Sequence, residues 1–74
     1  MDYMYMDVNG IPMKADAETM QLVAVLAPGS DGGIIERDPT ESESSMWTRD
    51  LFWSGSMIGR ATAEKLAYDR NYAY

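Results

Sequence analysis

Between Tyr3 and Val8 the side chains alternate. Tyr3, Tyr5 and Asp7 fall on one side of an extended chain and Met4, Met6 and Val8 on the other, which is the two-residue period of a strand. Asn9-Gly10 follows, the favoured pair for a two-residue hairpin turn because both central positions need positive φ. Ile11 to Lys14 supplies the returning strand. Pro12 within it has no N–H to give to a ladder, which predicts an edge position or a very short strand.

Beyond the hairpin the period is ambiguous. Asp16 suits a helix N-cap and Glu18 a first turn, so Ala17 to Ala27 is predicted as a helix ended by Pro28-Gly29. The competing element is a buried strand from Met20 to Leu26, favoured by the β-branched Val23 and Val25. Ser30-Asp31-Gly32-Gly33 is a turn and Ile34 to Arg37 a short strand. Asp38 to Ser45 holds no large apolar side chain and is predicted as a polar, mobile loop. Ser45 to Trp53, helical or extended, delivers Trp47, Leu51, Phe52 and Trp53 to the core, and Ser54-Gly55-Ser56 breaks it. Met57 to Arg70, rich in Ala, Glu, Lys and Arg with Ser56 as its cap, is predicted as a C-terminal helix and the longest element. The sum is one small α+β domain over residues 1–74: an N-terminal hairpin or small antiparallel sheet, helices covering one face, and a long C-terminal helix.

Composition narrows the chemistry. A chain of 74 residues buries only about 60% of its unfolded surface, so outside help from a staple or a partner is expected. There is no cysteine and no histidine, which removes disulfides and the usual zinc ligands. Neither Cys nor His is there to act as nucleophile, proton shuttle or ligand, and although two of the acids could converge for acid–base work, neither an enzyme nor a cofactor is expected. A partner is the remaining helper. Two Trp, five Tyr and seven Met are generous for this length, and such side chains are enriched at interfaces. The first residues carry acids where a secretory leader carries bases, and the longest apolar run, Leu22 to Ala27, is far too short to span a bilayer. The expected location is the cytoplasm.

Net charge is −6. That disfavours direct contact with nucleic acid or an anionic membrane and favours a basic protein surface. The distribution is uneven: residues 1–56 hold ten acids against three bases, and five acids between Asp31 and Glu43 meet only Arg37. Asp31, Glu36, Asp38, Glu41 and Glu43 are therefore the first partner-binding candidates. Tyr3, Tyr5, Tyr68 and Tyr72 join them, because both termini mix tyrosine with acids. Whole-body mimicry of DNA fails on density. A compact chain of this length spans about 29 Å, where a duplex presents roughly 17 phosphates against twelve acids here.

Several motifs have plainer readings. Pro28 to Gly33 lacks the Gly-Lys-Ser/Thr of a phosphate loop and is a turn. The acids from Asp31 to Glu43 do not follow the spacing of a calcium loop and are read as solvated charge. Thr40-Glu41-Ser42-Glu43 matches an acidophilic kinase site, a pattern frequent by chance. In the predicted last helix Gly55, Gly59, Ala63 and Ala67 fall at four-residue intervals, a small-residue face along which another helix backbone can approach closely. Docking within its own fold explains the same face.

The expected function is a non-enzymatic protein-binding module. Short, acidic and without Cys or His, the chain resembles in composition the small inhibitors carried by phages and mobile elements, including anti-CRISPR and anti-restriction proteins. The resemblance covers no motif and assigns no residue. It implies a basic, nucleic-acid-handling partner. The alternative is a structural or accessory subunit of a larger or homo-oligomeric assembly, a homodimer through the small-residue face among the forms considered. A third reading, a toxin–antitoxin-like regulator, would use Asp38 to Ser45 as a segment that folds on binding.

Overall fold

The hairpin forms as its alternation demands. In the computed structural model, which describes residues 2–72 and only the backbone path of 52–54 and 70–72, β1 (Tyr3–Val8) turns into β2 (Ile11–Asp16). Asn9 and Gly10 take φ of 55° and 84°, and Asp7 Oδ1 accepts the Gly10 N–H at 2.8 Å. Val8 faces Ile11 and Tyr3 faces Asp16.

β3 (Leu22–Pro28), β4 (Ile34–Arg37) and β5 (Gly55–Ile58) complete a five-stranded antiparallel sheet in the order β4-β3-β2-β1-β5. Pro12 therefore lies on the central strand, not at an edge. It is tolerated there for a local reason. The pair Val8–Ile11 closes the two-residue turn with hydrogen bonds, so at the next pair, Asp7–Pro12, the backbone groups turn away from β1. They point towards β3, whose ladder with β2 begins only at Met13, opposite Val25. No donor is missed.

Residues 17–27 are a turn and a strand, not the predicted helix. Asp16 Oδ1 does accept the N–H groups of Glu18 (2.8 Å) and Thr19 (3.3 Å), the same bonds an N-cap makes. The chain then closes at once: Met20 N–H reaches Asp16 C=O at 2.8 Å, Met20 takes φ of 63°, and Asp16 N–H reaches Gln21 C=O at 3.0 Å. Val23 and Val25 enter β3 between β2 and β4, where β-branched side chains pack well.

Asp38 to Ser45 is likewise mostly not a loop. Helix α1 (Glu41–Ser54) starts inside it behind a full capping box: Thr40 Oγ1 accepts the Glu43 N–H, and the Glu43 carboxylate accepts the Thr40 N–H. The predicted C-terminal helix exists as α2 (Arg60–Tyr72), but it begins later and is one residue shorter than α1. Met57 and Ile58, assigned to it from the sequence, lie in β5 opposite Met6 and Tyr5, and Ser56 caps nothing.

The helices cover opposite faces of the sheet instead of sharing one. Alternation on the strands explains why. Met6, Val8, Ile11, Met13, Ala15 and Val25 form one apolar face, on which Trp47 and Leu51 of α1 pack. The other face presents Leu26, with Tyr5, Ile34 and Ile58 beside it, to Ala63 and Ala67 of α2. α1 lies over β1 and β5, whereas α2 crosses β3, β2 and β1. Among the described residues no helix is long and apolar enough to cross a membrane.

Candidate functional site

Because α1 sits towards β1 and β5, the start of β3 is left uncovered on that face. There a groove of about 430 Å³ opens, walled by Met20, Gln21 and Leu22 on one side and by Ser44, Trp47, Thr48 and Leu51 on the other. The helix contributes those residues because positions 44, 47, 48 and 51 recur at three- and four-residue steps along one side. Leu22 and Leu51 belong to the core beneath. Met20 is 42% exposed in a conformation that costs a non-glycine residue on the order of 1 kcal/mol or more. The Trp47 indole N–H holds it there, donating to Met20 C=O at 3.0 Å. Trp47→Phe should cost about 1 kcal/mol through that bond and speed amide exchange at Met20 and Gln21, read by hydrogen-exchange NMR.

Acidic residues stand close in sequence to the groove walls. Glu41 stands one helical turn before Ser44, and Glu18 two residues before Met20; both are exposed. Asp38, also exposed, precedes the Thr40 cap. Among the described residues no ion pair engages Glu18, Asp38 or Glu41, since the ion pairs involve Glu36, Glu43 and Asp50.

The acidic candidates do not form one patch. Glu36 is bound by Lys14 Nζ at 2.9 and 3.0 Å, with Arg60 Nη1 at 3.8 Å. Glu43 is buried against Arg37, with Nη1–Oε1 at 2.7 Å and Nη2–Oε2 at 2.6 Å. Those hydrogen bonds, above all, hold its carboxyl at about 2 instead of 4.5, against the desolvation that opposes them. Asp31 caps its own turn, accepting the Gly33 N–H at 3.0 Å, and lies at the opposite end of β4 from Asp38 and Glu41. Of the five, Asp38 and Glu41 are three residues apart in the chain, both exposed, and among the described residues neither has an ion-pair partner.

The tyrosines serve the α2 face. Lys14 Nζ sits 4.2 Å above the Tyr3 ring. Tyr5 accepts a hydrogen bond from Arg60 at 2.7 Å. Tyr68 donates to Gly32 C=O, tying α2 to the β3–β4 turn. The Tyr72, Phe52 and Trp53 side chains lie outside the described ones.

The four-residue stripe of Gly55, Gly59, Ala63 and Ala67 is not a helix face. Gly55 is in β5 and Gly59 precedes α2. Ala63 and Ala67, 0% and 2% exposed, are spent on packing α2 against Leu26, because small side chains let the helix settle close to the sheet. The sequence reading missed Met20, Ser44 and Thr48 as groove walls. The signal was present in Thr40-x-x-Glu43, a capping box that starts a helix and so places Ser44, Trp47, Thr48 and Leu51 on one side.

Among the described residues no three metal-ligating side chains converge. What the arrangement offers is an apolar slot whose walls are followed closely in sequence by carboxylates that, among the described residues, take part in no ion pair. Comparison with protein-family models, curated proteins and solved structures finds no significant match.

Proposed function

We propose that this protein is a non-enzymatic binding module that seats a basic segment of a partner protein in the groove between the β2–β3 connection and α1. An apolar side chain of that segment enters between Met20, Leu22, Trp47 and Leu51, and flanking lysines or arginines meet Glu18, Asp38 and Glu41. The observation that carries this reading is an open apolar groove with nearby carboxylates that, among the described residues, have no ion-pair partner. Hydrophobic insertion supplies affinity, and the charges supply orientation and rate of encounter. Basic segments of this kind are how proteins hold nucleic-acid phosphates. Occupying one blocks that contact, which makes an inhibitor of a nucleic-acid-handling protein the functional class we favour.

The test uses a lysine/leucine-rich peptide and an acidic peptide of equal length and apolar content, titrated into the labelled protein by NMR. The basic peptide should shift Met20, Thr48 and the Trp47 indole N–H, and its binding should weaken with added salt. The double variant Glu18→Lys/Glu41→Lys should lower affinity by about tenfold or more. Equal binding of both peptides, or shifts confined to other surfaces, rejects the reading.

A further inference from the structure

Asn9-Gly10 is reactive as well as turn-forming. Where asparagine precedes glycine, the next backbone nitrogen can attack the side-chain amide, because glycine has no side chain to shield it. A bond forms from the Gly10 nitrogen to Asn9 Cγ, the Cγ–Nδ2 bond breaks, and ammonia leaves with the proton of that nitrogen. Water then opens the cyclic imide at either carbonyl. The net change consumes water and releases ammonia, leaving aspartate or, with the main chain rerouted through the side chain, isoaspartate. The surroundings permit it: Asn9 is exposed, and nothing lies within 4 Å of where a Cβ on Gly10 would stand. The other asparagine of the sequence, Asn71, precedes Tyr72, whose bulk hinders the same attack.

Two contacts occupy the reacting groups. Asn9 Nδ2 donates to Asp50 Oδ2 on α1 at 2.8 Å, and the Gly10 N–H donates to Asp7 Oδ1 at 2.8 Å. Ring closure must break both bonds and build negative charge beside two carboxylates, which oppose it. Asp50 is itself steadied by Arg49, with Nε–Oδ1 at 3.0 Å and Nη2–Oδ2 at 3.1 Å. Release of the turn from α1 therefore frees the amide for attack. The product cannot restore the contact. A carboxylate at residue 9 has no N–H to give and meets Asp50 as a like charge. Isoaspartate also adds a backbone carbon to a two-residue turn whose length sets the Val8–Ile11 register.

We propose that Asn9 is a site of spontaneous deamidation gated by its bond to Asp50, and that conversion releases the first hairpin turn from α1. The modification needs no enzyme and no reagent beyond water. It runs one way, since each converted molecule has lost the contact that slowed the reaction.

The test incubates the full chain in mildly alkaline buffer and follows residue 9 by peptide mass and ammonia release. Asn9 should convert while Asn71 does not. Asp50→Ala should convert Asn9 about threefold faster or more, the weight of one ordinary hydrogen bond. Alanine is the better helix former, so lost helicity does not enter. Tyr68→Phe removes a bond made by α2, on the opposite face of the sheet, and should keep the wild-type rate. In Asn9→Asp, hydrogen exchange along α1 should be about threefold faster than in the wild type. Asn9 intact in both the wild type and Asp50→Ala, under conditions that convert an unfolded Asn-Gly peptide, overturns the site. Equal rates in Asp50→Ala and the wild type, or as large a rise in Tyr68→Phe, overturn the gating. Unchanged exchange along α1 in Asn9→Asp overturns the release.

Discussion

Glu43→Ala should destabilise the fold by about 3 kcal/mol, a cost typical of breaking a buried ion pair together with a helix cap. Three hydrogen bonds to its carboxylate disappear, two from Arg37 and one from the Thr40 N–H; the bond from the backbone N–H of residue 43 to Thr40 Oγ1 stays, so half of the capping box is lost. Arg37 keeps its hydrogen bond to Asp38 C=O but loses its counter-charge. Acid should reproduce part of the effect. The Glu43 pKa is depressed to about 2 in the folded chain from an ordinary 4.5, so its ionised form contributes stability that is complete above 4.5 and is lost as pH falls towards 2. Urea unfolding at neutral pH, at 4.5 and at 2 measures this. Glu43→Gln should be the less stable protein at neutral pH, with the gap to the wild type closing across that window. A constant gap would show that Glu43 is not the titrating group.

Gly55→Val should cost about 2–4 kcal/mol, because added bulk where the backbone cannot yield is paid in strain. Gly55 has φ of −76° and ψ of 134°, which any residue can adopt. Room is what it lacks. A Cβ there would stand 2.4 Å from Leu51 C=O oxygen and 3.3 Å from Leu51 Cδ1. That oxygen also accepts the Gly55 N–H that closes α1, so it cannot withdraw without opening the helix end. Gly55 is paired with Val8 at the same time, which leaves the clash no direction of escape. Gly59→Ala is the control: nothing lies within 4 Å of its added carbon, and its effect should stay within about 0.5 kcal/mol. Equal unfolding midpoints for Gly55→Val and the wild type would mean that α1 does not run directly into β5.

Local chemistry was legible in the sequence and its consequences were less so. The first hairpin could be read because alternation and Asn9-Gly10 agree. The Asp16 side chain does bond to the next N–H groups, yet the same two bonds serve a helix start and a tight turn, and only the sheet around Val23 and Val25 decides between them. Gly55, Gly59, Ala63 and Ala67 share a helix-like spacing that crosses an element boundary, which no periodicity reveals. The division of the helices between two faces was hidden for a related reason: from the sequence Tyr3 and Tyr5 are partner-binding candidates, whereas Tyr5 lines the second core. At the candidate site Glu41 was picked out for its charge. Glu18, Met20 and Thr48 were not, because the groove is made by a turn and a helix brought together from 27 residues apart, at Met20 and Trp47.

The order in which the chain leaves the ribosome gives the sheet topology a cost of its own. β1 is made first but stays without its outer neighbour until residues 55–58 emerge, after β2, β3, β4 and all of α1. Throughout that interval the nascent protein carries an open strand edge of tyrosine and methionine, the kind of surface on which unfinished chains stick to one another. Synthesis stalled just short of Gly55 would therefore release fragments prone to aggregate, whereas the finished chain shields that strand behind its latest-made neighbour.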